Sequence, residues 1–116
     1  MAFDWNHPNL AEGLRCYRAE EFFLAHEHWE SVWLQSPDPE KTFLQSLIQI
    51  SAAMHHVQRG NRVGAASLLT RSLRRLDAYP AEFAEVDVES LRASLRAWLE
   101  FLRTDEATLP RWPLIR

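Results

Sequence analysis

Cysteine is almost missing from this chain: Cys16 is the single one among 116 residues, so no disulfide framework holds the fold. Lysine is nearly absent too, with Lys41 alone against twelve arginines. Glycine stops at three residues, and no segment alternates apolar and polar residues with β-branched enrichment, which leaves a strand reading without support. No run approaches the roughly 18 uninterrupted apolar residues of a membrane span. Charge of one sign is lacking as well. Thirteen Lys and Arg face sixteen Asp and Glu for a net charge of -3, so the molecule as a whole is no polyelectrolyte seeking nucleic acid or anionic lipid. The first ten residues, MAFDWNHPNL, show neither a basic leader nor an apolar stretch, and the expected location is the cytoplasm. What is present is apolar mass. A hydrophobic content of 47% in a chain of this length fills one core, which excludes disorder and predicts a single domain over residues 1–116.

The six prolines divide the chain, because an interior proline removes a helical hydrogen bond and clashes with the preceding turn. Pro8, Pro37, Pro39, Pro80, Pro110 and Pro113 leave proline-free stretches that read as an all-α bundle of about five helices. A first helix is predicted from Leu10 to Tyr17 and a second from Ala19 to Leu34, with a turn near Arg18, and with Glu20 and Glu21 in the second helix's opening turn. Phe22, His26, Trp29 and Trp33 then share one stripe. Asp38 is the expected N-cap of a third helix, with Pro39 at its first position. That helix runs to about Arg59, where Gly60 and Asn61 stop it. Its apolar residues point nearly all round, which makes it the central rod. A fourth helix is expected from Arg62 to Ala78, and a fifth from an N-cap at Asp87. Residues 105–116, ending in LPRWPLIR, read as an extended tail.

A central helix must explain its polar side chains, since a buried amide without a partner costs about 1 to 3 kcal/mol. Gln45, Gln49 and His56 form one polar stripe on the third helix. On the second, His26, Glu27 and Glu30 reach a common edge. These six are expected to converge between the two helices across a dry gap. His26, Glu27, Glu30 and His56 are then candidate general acids and bases, and Gln45, Gln49, Trp29 and Trp33 are candidate ligand contacts. The alternatives are a purely structural hydrogen-bond network and a metal site built from His26, Glu30 and His56. The metal fits poorly, because the residue four after His26 is Glu30 and no Glu-x-x-His pair exists; no metal is assigned and the cofactor is unknown.

The same residues carry a resemblance. FFLAHEHWESVW (22–33), FLQSLIQISAAMHH (43–56), RGNRVGAASLL (59–69) and DVESLRASLRAWL (87–99) resemble the helical family called domain of unknown function 309. The matching positions are His26, Glu27, Trp29, Glu30, Gln45, Gln49, His56, Gly60, Asn61, Gly64 and Ala65. The resemblance implies a compact bundle of about five helices, in line with the periodicity, and brings no established activity. The chain departs from the family pattern at Glu20, where a small or turn-forming residue is usual, at Leu24, usually glutamate, and at Ser46, usually glycine.

Other features are weighed in the same way. Trp5 and Trp112 lie in proline-flanked segments where a large ring must dock on the body of the chain or on another chain. Cys16 lacks a neighbouring base and reads as a structural thiol. His28, opposite His26 on the second helix, reads as solvent-exposed. Arg59, Arg62, Arg71, Arg74 and Arg75 make one locally basic patch, which reads as a solvated face, so nucleic acid is not the expected partner. A small-molecule ligand is expected, and a homo-oligomer remains the alternative.

Overall fold

The computed structural model describes residues 3–104 and 108–116; positions 105–107 of the expected tail lie outside the described residues. The described residues form α1 (Pro8–Arg18), α2 (Phe22–Trp33), α3 (Glu40–Gln58), α4 (Arg62–Leu76), a two-stranded antiparallel hairpin β1 (Glu82–Phe83) and β2 (Val86–Asp87), and α5 (Val88–Thr104). The all-α class holds, in one body whose Cα radius of gyration is 13.3 Å. The hairpin corrects the expectation of no strand. Its turn, Ala84 and Glu85, takes φ of 52° and 62° without a glycine, and Trp5 Nε1 donates to the Ala84 carbonyl at 2.7 Å.

Two helices end in the same way. The Gly60 backbone sits at φ 75°, and the Asn61 and Gly60 amides return to the His56 and Val57 carbonyls at 2.8 and 3.1 Å, which is a Schellman stop. Glu20 does the same for α1. Its φ is 62°, and the Glu21 and Glu20 amides bond to the Cys16 and Tyr17 carbonyls at 2.8 and 3.0 Å. This left-handed residue is why α2 begins at Phe22 and not at Ala19: Glu20 terminates one helix and has no place in the next. At the start of α3, Pro39 rather than Asp38 is the capping residue, while Asp38 accepts from the Thr42 amide at 3.1 Å. Asp87 accepts from the Ser90 amide at 3.0 Å, as the sequence predicts for the start of α5.

The core runs along α3, packed between α2 and α4. The fully buried polar residues are small: Ser46, Ser51 and Ser72. Ser51 Oγ donates to the Phe22 carbonyl at 3.2 Å and Ser72 Oγ to the Ser46 carbonyl at 3.0 Å, each on a neighbouring helix's backbone, while Ser46 Oγ donates to the Thr42 carbonyl of its own helix at 3.3 Å. α3 is therefore not enclosed all round. Its glutamine stripe is half-buried and borders a groove open to solvent.

Residues 108–116 run without helix or strand across α1, α2 and α5. Trp112 stacks on Trp98 at 5.4 Å and 8° and meets Phe22 edge-on at 5.0 Å. Trp98 Nε1 donates to the Arg111 carbonyl at 2.8 Å, and Tyr17 Oη donates to the Pro113 carbonyl at 2.6 Å. Trp5 and Trp112 both dock on their own chain.

Candidate functional site

α2 and α3 meet along faces set by helical spacing. Phe23, His26, Glu30 and Trp33 follow one another at three, four and three residues, and Gln45, Ile48 and Gln49 answer them from α3. Between the helices opens a shallow cavity of about 150 Å³, lined by Glu30, Trp33, Gln45, Ile48 and Gln49. At one side His26 Nε2 stands 3.0 Å from Glu30 Oε2. The carboxylate orients the ring so that Nε2 carries the proton and Nδ1 holds the lone pair while the imidazole is neutral. Beyond it the Phe23 ring lies 6.0 Å from His26 and 5.4 Å from His55, centroid to centroid.

The expected six do not all meet. His26 pairs with Glu30, and Glu30 shares the cavity with Gln45 and Gln49. Glu27 is exposed, and its side chain makes no hydrogen bond or ion pair among the described residues. The His56 ring is taken by the turn after α3, its Nδ1 lying 3.0 Å from Asn61 Nδ2. The neighbouring His55, one helical step round, is the histidine that faces α2. Burial pushes its pKa below the usual imidazole value, with Arg59, His56 and His26 adding to the shift. Trp33 lines the cavity. Trp29 is fully buried instead, donating from Nε1 to the Leu10 carbonyl at 3.2 Å. The groove is wetter than the dry gap expected: the Glu30 side chain is 53% exposed and that of His26 24%.

Two buried nitrogens on this face of α2 lack a hydrogen-bond partner, His26 Nδ1 and Trp33 Nε1. Natural proteins leave few such atoms, and each costs about 1 to 3 kcal/mol. Two further residues stand beside the cavity: Arg75, read in the sequence as part of a solvated arginine face, and Lys41, to which the sequence reading gave no role. Arg75 Nε of α4 donates to Gln49 Oε1 at 3.3 Å, and Lys41 Nζ sits over the Trp33 ring, 5.0 Å from its centroid. The available signal was the spacing of Lys41, Gln45 and Gln49, four residues apart along one line of α3.

The basic patch divides into separate roles. Arg62 donates to the Phe101 and Leu102 carbonyls at 2.9 and 3.0 Å, closing the end of α5, and Arg75 is held on Gln49, while Arg59, Arg71 and Arg74 are exposed. Cys16 is buried, and that burial pushes its thiol pKa up, away from nucleophilic use. His28 is half-buried, not fully exposed, with Nδ1 3.3 Å from Asn9 Oδ1. Among the described residues no group of three His, Cys, Asp or Glu side chains is placed to hold a metal ion, and no helix is long and apolar enough to cross a membrane.

A small all-α bundle is the class that the fold defines. Residues 10–68 match the family described as Domain of unknown function (DUF309), and the chain belongs to that family. The matched span runs from α1 into α4 and contains every residue that lines the cavity, leaving out the second half of α4 with Arg75, the hairpin, α5 and the tail. An uncharacterised protein of Bacillus subtilis (strain 168), YpuF, is 32% identical over 63 residues, which are 53% of this chain and 36% of that protein. An uncharacterised protein of Aquifex aeolicus (strain VF5) is 28% identical over 102 residues, 87% of this chain and 30% of that protein. The chain thus spans about a third of the length of the curated relatives it matches.

Proposed function

We propose that this protein binds a small polar molecule in the groove between α2 and α3, with Glu30, Gln45 and Gln49 as polar contacts and Trp33 as the apolar wall. The observation that carries this reading is the opening itself, in which Glu30 of α2 and Gln45 and Gln49 of α3 line one cavity beside Trp33. A carboxylate that accepts and two side-chain amides that both donate and accept are the groups a small polar molecule can meet there. The cavity is smaller than the pockets that swallow whole drug-sized ligands, which are about 300 to 1,000 Å³; it fits the head of a molecule whose remainder lies along the groove. The His26–Glu30 pair is also the kind of arrangement a general base uses, with His26 Nε2 and Glu30 Oε2 3.0 Å apart.

The test is a panel of small neutral and charged solutes titrated into the 15N-labelled chain while amide and side-chain resonances are followed. Saturable shifts confined to Glu30, Trp33, Gln45, Ile48 and Gln49, and abolished in Gln49→Ala, support the reading. If no solute produces them, and His26→Ala and Glu30→Ala change only the unfolding midpoint, the cluster is a structural hydrogen-bond network.

A further inference from the structure

A separate cavity of about 60 Å³ opens between the start of α1, the end of α2 and the start of α3. It shares no lining residue with the groove that holds Gln45 and Gln49. We infer that it binds a short aliphatic ammonium, with the alkyl chain inside and the charged head at the mouth beside Asp4 and Glu40. The wall is apolar, made by Phe3, Leu10, Val32 and Leu44. Leu10 and Leu44 are buried and form the floor. Asp4 and His7 also line the cavity but are exposed, so they stand at its mouth. Such a lining gives water few hydrogen-bond partners, and one water takes about 10 to 15 Å³ of this kind of space. The cavity therefore has room for about four to six heavy atoms, the size of a butyl chain with its nitrogen.

The charge around this apolar space is negative. Asp4 Oδ1 accepts from the Asn6 amide at 2.9 Å, which leaves the second carboxylate oxygen for a ligand. Glu40, the first residue of α3, lines the cavity half-buried, and its side chain makes no hydrogen bond or ion pair among the described residues. No Lys or Arg among the described residues lines the cavity; Lys41, the next residue, is turned to the Trp33 ring, 5.0 Å from its centroid. His7 is committed to α1 as its N-cap, with Nδ1 3.2 Å from the Asn9 amide nitrogen, a bond that only the neutral ring accepts. An apolar floor under acidic residues sets the direction of entry. An alkylammonium puts its chain in the floor and its charge in the water at the mouth. A lysine side chain enters with its ammonium leading and would carry the charge to the floor, where it is heavily penalised. An anion of the same shape meets two carboxylates.

Methyl resonances of Leu10, Val32 and Leu44 in the 13C-methyl-labelled full chain read the cavity. Butylammonium is expected to shift them saturably at neutral pH. Affinity is expected to rise about fourfold per methylene from ethylammonium to butylammonium and to level off at hexylammonium, whose chain outgrows the space. Asp4→Asn, which keeps an acceptor for the Asn6 amide, and Glu40→Gln are each expected to weaken butylammonium about three- to fivefold and to leave 1-butanol unchanged. Binding of 1-butanol or butyrate as tight as that of butylammonium overturns the ammonium assignment. Equally tight binding of Nα-acetyl-lysine methylamide overturns the orientation. If none of the amines shifts these methyls saturably, the site itself is overturned.

Discussion

Glu20 shows how one residue redirects a helical hairpin. It holds φ at 62°, where an L side chain is disfavoured by about 1 to 2 kcal/mol, and the turn between α1 and α2 depends on it. Glu20→Gly removes that strain at an exposed position and is expected to raise stability by about 0.5 to 1 kcal/mol in urea unfolding. Gly13 presents the opposite case. A Cβ built there overlaps the Trp29 indole, which bonds the Leu10 carbonyl of the same helix. Gly13→Ala must displace a fully buried ring, so it is expected to lower stability by about 1 to 3 kcal/mol and to alter the near-ultraviolet circular dichroism.

At the scale of elements, caps determine where the helices stop. Asn61 Oδ1 accepts from the Gly64 amide at 3.0 Å, and its Nδ2 meets His56 Nδ1 at 3.0 Å, so one side chain opens α4 and occupies the histidine that ends α3. Asn61→Ala is expected to cost about 1 kcal/mol and to free the His56 ring, seen as displaced His56 ring resonances in the NMR spectrum. Much of this was legible in the sequence: Gly60 and Asn61 mark the stop, Asp87 marks the start of α5, and α3's all-round apolar residues mark it as central. The hairpin was not, because strands of two residues carry no alternation; contacts from Trp5 and from Arg116, which pairs with Glu85 at 2.6 Å, come from the far ends of the sequence. The site was legible in part. Spacing put Glu30 opposite Gln45 and Gln49, but choosing between His55 and His56 required the rotation of α3 to better than one residue, about 100°. Lys41 and Arg75 became visible only once the side chains beside them were placed.

Across the whole molecule, the segment 108–116 acts as a clasp. Tyr17 donates to the Pro113 carbonyl from a buried position, and burial pushes its pKa far above the usual phenol value. Tyr79 is raised by burial in the same direction. The unfolded chain loses these protons near pH of about 10 while the folded chain keeps them. Stability is therefore intact below that pH and falls as pH climbs past it, with Tyr17 contributing a slope of up to about 1.4 kcal/mol per pH unit. Urea unfolding at about pH 9 and about pH 11 measures the fall, and Tyr17→Phe is expected to make it shallower.

The Arg116 guanidinium lies 5.6 Å from the Trp5 ring, so the first and last described segments are neighbours on the same hairpin turn. A short flexible linker joining them would close the chain into a ring with little displacement of either segment. The ring could then be reopened between α2 and α3 at the exposed Pro37 or Asp38. Such a rewired chain is expected to fold to the same helices, by circular dichroism and by an unaltered Trp98–Trp112 signature, showing that the order of connection is secondary to how the helices pack.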